Sequence, residues 1–177
     1  EVKVNGDTID VGKGPIKVTA IRDPKELPWK ELDVDVCFFG SLTEYRKTVL
    51  KQLVKKGISV KFLYVEPPFM RDDLLRRSKI NLSIRANTNN MSHLPHFRIL
   101  TGLYQNTMTI SEEARGQEWL EGMVDLVPPE EFVEHVIKVL NEGTYLDKVE
   151  SFKAKFKSQP MTSFMENLVT ELKILLS

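Results

Sequence analysis

Guanidinium groups bind phosphate at two points at once, and three arginines of this 177-residue chain stand where a phosphate site would form: Arg46, Arg85 and Arg98. Gly40-Ser41 closes the apolar run Val34–Phe39, which reads as a buried parallel strand. Arg46 lies about one turn into the helix expected after it. Arg85 directly follows the strand-like run Ile80–Ile84, and Arg98 begins the helix expected after the Asn-rich stretch Arg85–Ser92. Open α/β sheets bind ligands outside the carboxyl ends of their strands. If the strands are parallel, the three arginines therefore converge on Gly40-Ser41 at one sheet edge. A diphosphate held there by arginines and helix N-terminal amides needs no metal. Each arginine also has a plainer reading, a solvated helix residue for Arg46 and an ordinary loop or helix cation for the others.

The remaining reactive side chains point to less. His93 and His96 are three apart, but no third ligand accompanies them, so no zinc site is expected. His96 is a candidate for phosphate or sugar contact, or a loop histidine without a role. His135 belongs on the polar face of a helix as a structural residue. One cysteine, Cys37, excludes an internal disulfide, and its place in a buried strand makes it an inert small hydrophobe. No Ser/His/Asp constellation has support, and no Gly-x-Gly-x-x-Gly occurs, so no NAD cradle is expected.

The elements that must position these residues follow from periodicity. Val2–Val4 and Thr8–Val11 flank Asn5-Gly6, a hairpin signal, and Ile16–Ile21 is a third strand. A short helical turn fits 25–32. Beyond 33, strands and helices alternate: strand Val34–Phe39, helix Glu44–Lys56 capped by Thr43, strand Ile58–Val65, helix Arg71–Arg77, strand Ile80–Ile84, helix Pro95–Gln105 and strand Thr107–Ile110. A helix or loop over Glu112–Leu120, strand Met123–Val127 and a helix from Pro129 to Leu140 continue the alternation, followed by helices Tyr145–Lys157 and Met161–Leu176. The expected fold is α/β, a Rossmann-like three-layer sandwich with a parallel sheet, an N-terminal β-hairpin segment and extra C-terminal helices. The domains are 1–32 and 33–177.

The 25 basic and 25 acidic side chains cancel, which argues against a nucleic-acid partner or a polybasic membrane binder. The cancellation hides unlike parts: net −2 over 1–36, +7 over 37–90 and −5 over 91–177. The +7 stretch holds Arg46 and Arg85 and is compatible with one small anion, or with helix surfaces charged unevenly. No apolar run approaches the roughly 20 residues of a membrane span. The chain starts without Met and without a signal peptide, so a processed or truncated start and a cytoplasmic setting are the expectations. Unpaired edge strands make a homodimer an expectation as well.

Two resemblances add to this reading. Val4-Asn5-Gly6-Asp7, Ile16-Lys17-Val18-Thr19-Ala20, Arg22-Asp23-Pro24 and Leu27-Pro28-Trp29-Lys30-Glu31-Leu32 resemble a segment of the NAD-binding domain of glyceraldehyde-3-phosphate dehydrogenase. The resemblance covers 1–36 only and leaves out the family's cofactor cradle and nucleophilic cysteine, so dehydrogenase activity is not expected. Val36-Cys37-Phe38-Phe39-Gly40-Ser41-Leu42 with Tyr45-Arg46, then Ser78-Lys79-Ile80, then His96-Phe97-Arg98-Ile99-Leu100-Thr101-Gly102-Leu103 and Thr107–Glu112 are similar to the C-terminal domain of GT-B glycosyltransferases of the CgeB-like group. This likeness implies a nucleotide-sugar donor or nucleotide diphosphate as ligand, with Gly40, Ser41, Arg46, Arg85, His96, Arg98, Thr101 and Glu112 around it. Thr101 stands where the family carries a ribose-binding carboxylate. Glu112 either faces the cleft or is a helix N-terminal acid. The acceptor half of such enzymes is not represented, so no autonomous catalysis is expected. The alternatives are an engineered or mosaic α/β chimera without a ligand, joined within 33–39, and a truncated glycosyltransferase completed by a partner chain.

Overall fold

The computed structural model of the chain describes residues 3–5, 8–10, 15–17, 32–64, 67–87, 96–115 and 118–158, the side chains of 3–5, 8–10, 15–17 and Trp119 excepted. The expected helices over 25–32 and 161–176 lie outside these residues, apart from Leu32. The chain divides into two compact units, Glu1–Lys30 and Glu31–Ser177.

The first unit is a three-stranded antiparallel sheet in the order β1 (Lys3–Asn5), β2 (Thr8–Asp10), β3 (Pro15–Lys17). Asn5 pairs with Thr8, so Asn5 belongs to the ladder instead of the turn that the Asn-Gly pair predicts. Ile9 pairs with both Val4 and Ile16.

The second unit is a Rossmann-like α/β fold. Its five parallel strands are β4 (Val34–Phe39), β5 (Val60–Leu63), β6 (Ser78–Ser83), β7 (Met108–Glu112) and β8 (Asp125–Val127), in the order β5-β4-β6-β7-β8. The helices are α1 (Glu44–Lys55), α2 (Pro68–Arg77), α3 (His96–Tyr104), α4 (Phe132–Glu142) and α5 (Tyr145–Lys157), with a 3₁₀ turn at Glu118–Leu120. From β4 the chain first moves outward to β5, then crosses back to β6 and on to β7 and β8. Right-handed crossovers in opposite directions place α1 on one face and α2 and α3 on the other. Accordingly α1 packs on β5 and against α4, whereas α2, α3 and α5 pack on β6 or β7.

The core explains the continuous apolar runs. Val36, Phe38, Ile80, Leu82, Met108 and Ile110 are buried on the central strands, and Val49, Leu50, Leu53, Phe132, Val136 and Val139 cover one face from α1 and α4. Several boundaries differ from the sequence-based ones. Apolar Val54 of α1 is 56% exposed, because it lies one 100° step beyond buried Leu53. Helix α4 starts only at Phe132, since the Glu131 amide bonds back to Pro128 and closes a turn first. Helix α2 starts earlier than expected, with Pro68 in its first turn, where its missing N–H is not needed. Strand β6 starts two residues early, at Ser78, whose hydroxyl donates to the Leu74 carbonyl at the end of α2.

Candidate functional site

The strand order reverses between β4 and β6, so their carboxyl ends flank the crevice where a doubly wound sheet receives ligands. The chain leaves β4 at Gly40-Ser41 toward α1 on one face, and leaves β6 at Ile84-Arg85 toward α3 on the other. Gly40 has φ +126°, a conformation that L side chains rarely adopt, and its amide bonds to the Leu63 carbonyl at 3.0 Å. A Cβ there would stand 3.0 Å from Nη2 of Arg98, so the glycine is what lets the guanidinium come close.

Arg46 is held in the first turn of α1, where its amide caps onto Thr43 Oγ1. Its guanidinium bridges the crevice: Nε donates to the carbonyls of Ile84 and Arg85, each at 3.0 Å, and Nη1 donates to the Ser41 carbonyl at 2.9 Å and the Ser41 hydroxyl at 3.1 Å. It is therefore no solvated helix residue. It ties the loop after β4 to the loop after β6.

Arg98 contrasts with it. Its Nε and Nη1 are buried and have no hydrogen-bond partner. The guanidinium lies over the rings of Phe38, at 4.9 Å, and Phe39, at 5.0 Å. Burial, and then the charge of Arg46, pull its pKa down to about 10, so it remains a cation at neutral pH. No carboxylate acts on it among the described residues. Cation–π contacts are worth about 2 kcal/mol when desolvated, less than the several kcal/mol that burying an unpaired ion costs. The helix carrying it is pinned: Asn81 Nδ2 donates to the Arg98 carbonyl at 3.3 Å and to Thr109 Oγ1 at 3.1 Å. Gly102 permits this approach, because a Cβ there would come within 2.5 Å of Thr109 Oγ1.

The carboxylate of the site is committed inward. Glu112, the last residue of β7, is buried; it accepts from the Tyr45 hydroxyl and from the Arg85 amide, the latter at 2.7 Å. This corrects both sequence readings of Glu112, as a cleft-facing group and as a helix N-terminal acid. Strand β7 runs two residues further than its apolar stretch, because the buried acceptor is satisfied in place. Burial and the bond to Glu112 raise the Tyr45 pKa. The Arg85 guanidinium folds back on the Glu113 carbonyl, which Nε reaches at 2.7 Å and Nη2 also contacts.

The geometry thus brings together Gly40, Ser41, Arg46, Arg85, Arg98 and Glu112, and of these Arg98 has buried guanidinium nitrogens without a partner. Thr101 turns its hydroxyl onto the Phe97 carbonyl at 2.7 Å, one turn back in α3. His96 is the first residue of α3, and His93 lies outside the described residues. His135 pairs with Asp125 at 3.0 Å, as its structural reading requires. Cys37 is fully buried, and burial pushes its thiol up to about 12. Sequence reasoning missed Tyr45, which periodicity assigns to the apolar face of α1, and Phe38-Phe39 as a cushion for cations. The signal was present in two successive aromatics ending a strand that points to an arginine-bearing edge. Among the described residues no cluster of three potential metal ligands occurs, and no helix is long and apolar enough to cross a membrane.

No family model matches the chain. Two dehydrogenases match short stretches. Glyceraldehyde-3-phosphate dehydrogenase of Xanthobacter flavus is 78% identical over 36 residues, 20% of this chain and 11% of that protein. The enzyme of Cereibacter sphaeroides is 51% identical over 47 residues, 27% of this chain and 14% of that protein. The chain thus spans less than a fifth of the curated relatives it matches. Among solved structures, an alpha1,3-fucosyltransferase shares the fold. It aligns with a TM-score of 0.50 and 15% identity, covering 74% of this chain and 40% of that one. The chain has a glycosyltransferase-like fold. The resemblance to the GT-B domain extends that far, and the dehydrogenase resemblance extends to a short segment.

Proposed function

We propose that the second unit is a nucleotide-sugar-binding domain of glycosyltransferase ancestry that does not catalyse transfer by itself. The observation that carries the reading is Arg98, a buried cation with two unpartnered nitrogens at the switch point of the sheet. A diphosphate is the ligand that best meets such a group, since it brings the missing negative charge and several acceptor oxygens. Arg46 and Gly40-Ser41 frame the same spot, with Arg46 adding a second positive charge while its donors hold the loops. Arg85, Glu112 and Tyr45 keep the loop after β6 in place. The fucosyltransferase likeness supports the fold, and the donor-domain reading adds the ligand class. Sugar transfer also needs an acceptor and a base held opposite the donor, and we assign neither to this unit.

Calorimetric titration of the full chain with UDP and GDP tests the proposal. Binding of either, lost in Arg98→Met, is the expected result. No binding of UDP, GDP or pyrophosphate at millimolar concentration overturns it and favours a chain without a ligand. Glycosyl transfer or rapid donor hydrolysis by the purified chain overturns the non-catalytic part.

A second reading has its own observation, the 78% identity over 36 residues. We propose that the opening segment has a dehydrogenase origin and was joined to the glycosyltransferase-like unit, within β4 by the resemblances. An apolar parallel strand is common to both folds, so a join there preserves pattern and register. No NAD binding is expected. The parent coding sequence tests the join: if the dehydrogenase pattern continues upstream of Glu1 through a full cofactor cradle, the short-segment reading fails.

A further inference from the structure

At the carboxyl edge, rings and guanidinium groups alternate in a ladder that the phosphate reading does not use. Phe62 stacks on Phe38 at 6.0 Å, and Arg98 lies between Phe38 and Phe39. Arg71 of α2 then covers Phe39 at 5.9 Å and Phe97 at 5.2 Å. Asp72 holds Arg71 through Nε at 2.9 Å and Nη2 at 2.8 Å. The ladder therefore begins in the core and ends on Phe97, whose side chain is 65% exposed although it is aromatic and adjoins Arg98 in α3. Tyr64 and Phe69, which follow β5 at the same sheet end, are also more than half exposed. Large exposed aromatics at one rim of a crevice mark a binding surface.

We infer that Phe97 is the platform for the base of the ligand whose diphosphate Arg98 holds. A planar ring stacks on a planar ring, and base–aromatic stacking tolerates any base because each has a π-face. Arg71 backs the platform and keeps the ring from rotating away, and one ligand then spans neighbouring residues of one helix. The inference rests on the diphosphate reading, and the two are separated by using a ligand without a base.

UDP, GDP and inorganic pyrophosphate are titrated into the full chain, Phe97→Leu, Phe97→Trp and Arg98→Met. Phe97→Leu weakens UDP and GDP about 5- to 150-fold and leaves pyrophosphate unchanged, while Phe97→Trp restores nucleotide affinity. Arg98→Met weakens all three. If UDP binds through Arg98 but is indifferent to Phe97→Leu, the base platform is wrong and the diphosphate site stands. Equal loss of pyrophosphate and nucleotide in Phe97→Leu also overturns the platform. If none of the three binds the unaltered chain, the diphosphate site itself fails and the platform with it.

Discussion

The two ends of the parallel sheet differ in how they hold their cations. At the amino end two cations have carboxylate partners: Arg77 of α2 pairs with Asp33, and Lys79 of β6 pairs with Asp35 at 2.6 Å. The Ser59 amide adds a bond to Asp35 at 2.9 Å. At the carboxyl end Arg71 keeps a carboxylate, Asp72, but Arg46 rests on carbonyls and the Phe38 ring and Arg98 on rings, and Glu112, the buried carboxylate among the described residues, is occupied by Tyr45 and the Arg85 amide. Paired charge holds strands in register. Uncompensated buried charge destabilises the fold unless a ligand supplies the counter-charge, which is the basis of the proposed site.

The sharpest break of this contrast is Arg98→Met, which keeps the apolar stem and removes the charge. Nucleotide affinity falls about 100-fold or more, since two charge-assisted bonds are lost, while the melting temperature stays level or rises. A matched loss of stability would mean that Arg98 is structural. Next is Glu112→Ala, which leaves the Tyr45 hydroxyl and the Arg85 amide without their acceptor. Urea denaturation is expected to show a loss of about 2–4 kcal/mol. Gly40→Ala forces a side chain into positive φ against Arg98. It lowers stability by about 1–2 kcal/mol and weakens the nucleotide several-fold, read in the same two assays.

The smallest effect belongs to the amino end. Burial pushes the Asp35 carboxyl up, but the Lys79 and Ser59 hydrogen bonds outweigh it and hold its pKa below the ordinary range. A lowered folded pKa means that the pair's stabilisation is present above about pH 4 and is lost as pH falls through the folded value. Asp35→Asn removes about 1 kcal/mol at neutral pH and flattens the acid limb of the stability curve, with nucleotide affinity unchanged. A change in affinity would erase the distinction between the two ends.

Much of the frame was legible. The run Val34–Phe39 with Gly40-Ser41, the cap at Thr43 and the helix Tyr145–Lys157 follow from short-range chemistry, and all lie where pattern puts them. Alternation of strands and helices predicts the parallel sheet, because each strand buried on both faces needs helices to cover it. Convergence of Arg46, Arg85 and Arg98 followed from the rule that such strands end at one edge.

Which of those arginines is committed was not legible. Arg46 and Arg98 are alike in sequence, each near the start of a helix after a strand. Both lie over Phe38, and only the three-dimensional arrangement brings the Ser41, Ile84 and Arg85 carbonyls to Arg46 and leaves Arg98 with rings alone. The same holds for Glu112, whose partners Tyr45 and Arg85 come from 67 and 27 residues away. Periodicity and capping depend on neighbours within a turn, so the sequence by itself determines the elements and their order. Hydrogen-bond satisfaction of a buried charge depends on groups distant along the chain, so only the tertiary structure decides which buried cation is left without a hydrogen-bond partner.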